Sequence, residues 1–155
     1  MKRAVPIVLF SLLIGAATPG QPAPALRATS SQGEPVSLGR LRGRVVVVDF
    51  WASWCEPCRR AFPVLDGLAR RYGGQGLTVV GVSVDDEAAG FRAFVDEMRP
   101  AFPVVHDGSH QIAARWSPPS MPTTYVIGRD GLVVAALTGD DLQHLEARVV
   151  AALER

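Results

Sequence analysis

Cys55 and Cys58 are the only cysteines of this 155-residue chain, and they stand in the run Trp54-Cys55-Glu56-Pro57-Cys58. An apolar run, Val45-Val46-Val47-Val48-Asp49-Phe50-Trp51, comes directly before them and a helical pattern comes after. A Cys-x-x-Cys at such a strand-to-helix junction suits dithiol–disulfide exchange. If Cys55 caps the helix, its sulfur faces unpaired backbone N–H groups and the positive end of the helix dipole, which favours thiolate. Cys58, about one turn later, can reach the same sulfur and close a small disulfide. Pro57 falls in the first helical turn, where a missing N–H costs nothing.

Other uses of two cysteines fit less well. A structural disulfide across two residues closes almost no loop and constrains the unfolded chain little. A zinc site needs four ligands, and His106, His110 and His144 are not spaced as a knuckle. No metal site is therefore predicted. The charges nearly cancel, 16 basic against 15 acidic residues. With no basic run and no aromatic-basic interleaving, a nucleic-acid partner is not expected.

Lys2 and Arg3 precede an apolar stretch from Ala4 to about Ala17, and Gly15-Ala16-Ala17 offers small residues for cleavage. That layout predicts a secretory signal over residues 1–17. Left uncleaved, the stretch would be a short N-terminal anchor, since a membrane span needs around 20 residues. No cysteine lies near its end, so lipid attachment there is excluded. Residues 18–34, with Pro19, Gly20, Pro22, Pro24, Ser30, Ser31 and Gly33, lack periodicity and read as a linker. One domain is expected over residues 35–155.

Within that domain Val36-Ser37-Leu38 and Leu41 read as a short edge element, and Val45–Trp51 as a central strand covered on both faces. Phe62, Leu65, Leu68, Ala69 and Tyr72 give a helical stripe, which Pro63 should kink or break. Gly73-Gly74 ends the helix and Leu77–Val84 is the next strand. Asp85-Asp86-Glu87 reads as the cap and first-turn acids of a helix carrying Phe91, Phe94, Val95 and Met98. A short strand at Pro103–His106 and a short helix at Ser109–Trp116 follow. Met121–Ile127 and Leu132–Leu137 form a hairpin across Arg129-Asp130-Gly131. Asp140 or Asp141 would cap a last helix that turns Leu142, Leu145, Val149 and Leu153 inward. Such units build an α/β sandwich around a mixed sheet.

The stretch Val48-Asp49-Phe50-Trp51-Ala52-Ser53-Trp54-Cys55-Glu56-Pro57-Cys58-Arg59-Arg60 resembles thioredoxin. From about Pro35 to Arg155 the chain is similar to the exported TlpA/ResA branch of the thioredoxin superfamily. Phe62-Pro63, Val80–Asp85, Phe102–Val105 and Met121-Pro122-Thr123-Thr124 support the resemblance. It implies a thioredoxin-like fold, a mixed central sheet flanked by helices, with an extra helix and strand inserted between Asp85 and Ser117, before a cis-proline. By that resemblance Cys55 is the nucleophile, Cys58 the resolving thiol and Pro122 the cis-proline. Met121 would offer backbone groups to a substrate by short β-type pairing. Trp54, Pro57, Met121, Pro122 and Gly139 would line the docking groove, with Trp51 in the core.

Asp49 lies six positions before Cys55 in an otherwise apolar strand. Burial there disfavours its charged form. The matching position in thioredoxin carries a buried acid that accepts the proton of the resolving thiol. The chain departs from the ResA-like pattern at Ala61, three positions after Cys58, where a glutamate is often found. Asp49 is therefore expected to supply the acid that Ala61 lacks.

The resemblance implies an exported, periplasmic or extracytoplasmic thiol:disulfide oxidoreductase. It needs no cofactor, acts as a monomer on disulfide-containing proteins, and draws electrons from a membrane donor. Its substrate class would be that of cytochrome c maturation or a metallochaperone. The alternatives are an oxidant or isomerase of protein folding, and a copper- or haem-handling module using both thiols as soft ligands. The last needs a third ligand, for which Met121 and the histidines are the candidates. A peroxidase of the peroxiredoxin type would want Pro-x-x-x-Thr-x-x-Cys, and neither Pro nor Thr occurs within residues 48–54.

Overall fold

The computed structural model describes residues 16–155; most of the expected signal segment, residues 1–15, lies outside them. A hairpin comes first, β1 (Arg27–Thr29) with β2 (Pro35–Ser37), then a 3-10 turn at Leu38–Leu41. The core elements are β3 (Val45–Trp51), α1 (Glu56–Tyr72), β4 (Leu77–Ser83), α2 (Ala88–Met98), β5 (Val104–His106) and α3 (Gln111–Trp116). They are followed by β6 (Thr123–Ile127), β7 (Val133–Thr138) and α4 (Leu145–Leu153). The main sheet runs β5-β4-β3-β6-β7, with β4 parallel to β3 and β5 parallel to β4, β6 antiparallel to β3 and β7 antiparallel to β6. This is the expected α/β fold with a mixed central sheet flanked by helices, and α2, β5 and α3 lie between Asp85 and Pro122.

All seven residues of β3 are buried, as the unbroken apolar run requires of a strand covered on both faces. Val45, Val47 and Trp51 point to the face covered by α1, α2 and α4, where Phe62, Leu65, Phe91, Phe94, Leu145 and Val149 meet them. Val46, Val48 and Phe50 point to the other face, against Leu26, Val36, Ile112, Trp116 and Tyr125. Strand alternation therefore assigns Asp49 to the α1 face, beside Trp51 and Val47.

Several local expectations are corrected. The segment read as a linker contributes β1, buries Leu26, and is bonded onto the sheet, and Ala17 at the end of the expected signal is also buried. The N–H of Ala17 donates to Trp116 O, that of Gly20 to Val133 O, and that of Ser31 to Val104 O. The last contact and the Ser30–Val105 bridge cover the edge strand β5, protecting otherwise open backbone groups. A segment held by backbone bonds leaves little hydrophobic period in its sequence, which is why it reads as irregular.

Helix α1 runs unbroken past Pro63, which is exposed, so water can take the carbonyl that its ring leaves free. The helix is stopped at Gly76, whose φ of 102° lies in the left-handed region that glycine tolerates, after a 3-10 turn at Gly73–Gln75. Asp85 does not cap α2; the N-cap is Glu87, without a side-chain bond. A 3-10 turn, Gly139–His144, precedes α4 where a capped helix start was expected. Asp107 caps α3, accepting from the N–H of Ile112 at 3.1 Å and of Ala113 at 2.8 Å. No helix among the described residues is long and apolar enough to cross a membrane.

Trp51 anchors the α1 face, its ring 5.0 Å from Phe62 and 4.5 Å from Phe94. Gly81 makes room for it: a Cβ there would lie 2.9 Å from Val104 Cγ1 and 3.0 Å from Trp51 Nε1. Overpacking of this kind costs about 1–3 kcal/mol. Gly81→Ala is thus expected to lower the urea unfolding midpoint accordingly; an unchanged midpoint contradicts this packing.

Candidate active site

The C-terminal end of β3 delivers the chain into a turn, Ala52–Cys55, closed by the Cys55 N–H donating to Ala52 O at 3.1 Å. Cys55 then caps α1 with extended backbone (φ −93°, ψ 106°), and its Sγ accepts the N–H of Cys58 at 3.2 Å. A sulfur so placed satisfies one of the helix's orphan donors and sits at the positive end of its dipole. Cys55 and Cys58 are joined as a disulfide, with Cα atoms 5.3 Å apart. Cys58 is fully enclosed while Cys55 retains 5% exposure.

Trp54 is the most exposed large apolar side chain described, at 73%. Glu56 and Pro57 beside it are also exposed. Glu56 lies 3.9 Å from Arg59 and 3.6 Å from Arg60, and Arg59 also pairs with Glu97 at 2.7 Å. The cations nearest in sequence to the cysteines are thus committed to carboxylates.

The second part of the site comes from the start of β6. The Met121–Pro122 peptide bond is cis. Register pairs Phe50 with Thr123, so the next step along both strands sets Pro122 beside Trp51, where the redox turn begins. Pro122 O accepts the N–H of Gly139 at 3.3 Å, and Thr123 Oγ1 donates to Ser120 O at 2.7 Å. Met121 is half-buried against both halves of the core.

Asp49 is sealed in the sheet. Its Oδ1 accepts from Thr124 Oγ1 at 2.6 Å, across the Asp49–Thr124 register pair, and its Oδ2 has no partner. Burial pushes its pKa up to about 7, against the smaller opposing effect of the Thr124 hydrogen bond. A carboxyl group that exchanges its proton near neutrality thus stands on the face of the sheet that α1 and Cys58 cover.

The histidines are held elsewhere. His106 Nε2 lies 2.7 Å from the Asp85 carbonyl, to which it must donate, and the ring stacks on Phe91. His110 pairs with Asp86 at 2.8 Å, and His144 is exposed. Among the described residues no three His, Cys, Asp or Glu are grouped to hold a metal. Ala61 is buried, so a methyl group occupies the position of the acid in the ResA-like pattern. Sequence reasoning missed Ser53 and Asp85. Asp85 is buried at 4% and bonds Ser53 in the redox turn. Their separation of 32 residues leaves no periodic signal.

The model of the AhpC/TSA family matches residues 19–136. The chain belongs to the AhpC/TSA family. It is 32% identical over 120 residues to the thiol-disulfide oxidoreductase ResA of Bacillus subtilis, covering 77% of this chain and 67% of that one. It is 37% identical over 112 residues to ResA of Oceanobacillus iheyensis, covering 70% and 58%. A solved structure assigned as the thiol:disulfide interchange protein DsbE of Chlorobium tepidum superposes with a TM-score of 0.84 at 33% identity, over 89% of this chain and 99% of that one. Within its family the chain is a thiol-disulfide oxidoreductase of the ResA and DsbE type, with Cys55 and Cys58 as the Cys-x-x-Cys pair.

The buried acid links stability to pH. Below ordinary carboxylate values Asp49 is protonated in both folded and unfolded chains and contributes no difference. As pH rises towards 7 the unfolded chain releases this proton and the folded one keeps it, so stability falls; above about 7 the cost is complete. A shift of that size corresponds to ~4 kcal/mol. Asp49→Asn, measured in the oxidised form by urea unfolding, is expected to gain up to that amount at pH 8 and almost nothing at pH 4. Equal stability of the two proteins at pH 8 would show that Asp49 carries no such burden.

Proposed function

We propose that the protein is an exported reductase of specific protein disulfides, in which Cys55 attacks, Cys58 resolves and Asp49 moves the proton. The observation that carries this reading is the unequal setting of the two sulfurs. Cys55 sits at the mouth of the helix beside exposed Trp54 and Pro57, whereas Cys58 is enclosed. Only the outer sulfur can meet a disulfide of another protein.

In the reduced enzyme the Cys55 thiolate attacks one substrate sulfur and forms a mixed disulfide. The other substrate sulfur leaves as thiolate and takes a proton from water. Cys58 then gives its proton to ionised Asp49, and its sulfur attacks Cys55 Sγ. The Cys55–Cys58 disulfide closes, the second substrate thiol leaves, and two electrons have passed to the substrate. A dithiol donor at the membrane restores the reduced pair. Buried and poised near 7, Asp49 is suited to accept a proton where water cannot enter.

Trp54, Pro57, Met121, Pro122 and Gly139 form the docking groove in this reading. The cis Met121–Pro122 bond and the Gly139–Pro122 hydrogen bond support its backbone side. Residues 1–17 serve as the signal or short anchor, and residues 18–34 belong with the domain they pack on. The substrate class, cytochrome c maturation or metallochaperone, rests on the ResA resemblance.

Cysteine substitutions in the full chain test the assignment. Cys58→Ser should accumulate mixed disulfides through Cys55, visible on non-reducing gels, while Cys55→Ser should accumulate none. Equal trapping by both, or by neither, would overturn it. Asp49→Asn should slow release from the mixed disulfide by about tenfold or more at pH 8, at or below the usual contribution of a positioned base. It should also abolish the rise in rate through pH 7; an unchanged profile would remove Asp49 from the reaction.

A further inference from the structure

The side chain of Asp85 turns away from the helix it precedes and onto the turn that carries the cysteines. Its Oδ1 and Oδ2 accept the Ser53 N–H at 3.0 and 3.1 Å, and Ser53 Oγ donates to Oδ1 at 2.7 Å. Ser83 Oγ donates to Oδ2 at 2.7 Å and accepts the Asp85 N–H at 3.1 Å. The Asp85 carbonyl accepts from His106 Nε2 at 2.7 Å. One 4%-exposed residue thus joins the end of β4, the end of β5 and the redox turn.

Ser53 is also confined by α2. Gly90, in the first turns of α2, has no side chain, and a Cβ there would lie 2.9 Å from Ser53 Oγ. Two residues after Ser53 comes Cys55, bonded through its N–H to Ala52 O. The turn is therefore fixed by its own backbone at one point and by Asp85 at the other.

We propose that Asp85 is a positioning residue for disulfide exchange: by gripping Ser53 it holds Cys55 in the capping geometry that lets its sulfur receive the N–H of Cys58. The proposal rests on Cys55 being the nucleophile. Thiolate at a helix start is stabilised only while the sulfur stays aligned with the orphan N–H groups. A turn released from Asp85 spends less time in that alignment, and its thiolate forms at higher pH. The grip is made by acceptor geometry, so asparagine can replace it. Its oxygen still accepts from Ser53, and its amide can donate to Ser83 Oγ.

The test is the pH profile of carbamidomethylation of the reduced full chain by iodoacetamide, with the modified cysteine identified by peptide mass. This reagent needs no docking groove. Asp85→Ala is expected to move the Cys55 midpoint upward by about one pH unit, a tenfold slower reaction at any pH well below it. Asp85→Asn is expected to keep the wild-type midpoint within a few tenths. Gly90→Ala, which pushes Ser53 Oγ off the carboxylate, should shift it in the same direction as Asp85→Ala. A folded Asp85→Ala with the wild-type midpoint overturns the proposal. So does an Asp85→Asn shift as large as that of alanine, because an acceptor in the same place would then fail to hold the turn. Should Asp85→Ala not fold, Ser53→Ala removes a single hydroxyl donor; an upward shift supports the grip and none overturns it. Modification of the wild-type protein at Cys58 instead of Cys55 would reject the nucleophile assignment itself, a result distinct from any shift among the variants.

Discussion

Everything at the redox end of the molecule hangs from β3, a strand sealed on both faces. Its seven residues pair with β4 on one side, and five of them, Val46–Phe50, pair with β6 on the other. That enclosure sets three things at once. It buries Asp49 on the α1 face, brings Pro122 alongside Trp51, and aims the turn that ends in Cys55 at the start of α1. Because a strand buried on both sides cannot slip by one residue without exchanging its faces, these placements are fixed relative to one another.

The enclosure also imposes a cost. Asp49 Oδ2, Trp51 Nε1 and Trp116 Nε1 are buried without a partner, and an unpaired buried polar group disfavours folding. Local rules are broken in this way mainly where function requires it. For Asp49 the return is a carboxyl group whose proton is exchangeable near neutral pH. With alanine buried at position 61, the proposed mechanism gives the acid's part to Asp49. Stability is surrendered as pH rises towards 7, and the proposed mechanism uses the ionised acid formed there.

What could be read from the sequence followed how local each signal was. The Cys-x-x-Cys, the apolar runs of β3 and β4, and the stripes of α1 and α2 are periodic within ten or so residues, and each element stands close to its expected place. Asp49 was visible as one charge in an apolar run. The N-terminal segment was not, because Ala17, Leu26 and their backbone bonds to Trp116 O and Val133 O are long-range contacts without a period. Asp85 was misassigned for a similar reason. In an Asp-Asp-Glu run before a helix it carries the pattern of a cap, and only the fold brings Ser53 within 3.0 Å of it. Pro63 was over-weighted, since its effect depends on whether its face of the helix is wet.

The direction of electron flow follows from how well the reduced pair is stabilised. A strong oxidant of this kind owes its potential to a stabilised reduced form. Here the Cys55 sulfur receives the N–H of Cys58, exposed Glu56 stands next to it, and Arg59 is drawn to Glu56 and Glu97. The N–H and the helix start favour the reduced form, whereas Glu56 and the diverted Arg59 act against thiolate, and the proposed reductase requires the second effect to prevail. Equilibrating the full chain with defined dithiol or glutathione buffers measures this directly. A reduction potential near that of thioredoxin, about −270 mV, is the predicted result and fits a reductase supplied with electrons from the membrane. A value near about −120 mV would mark an oxidant and contradict the reductase assignment.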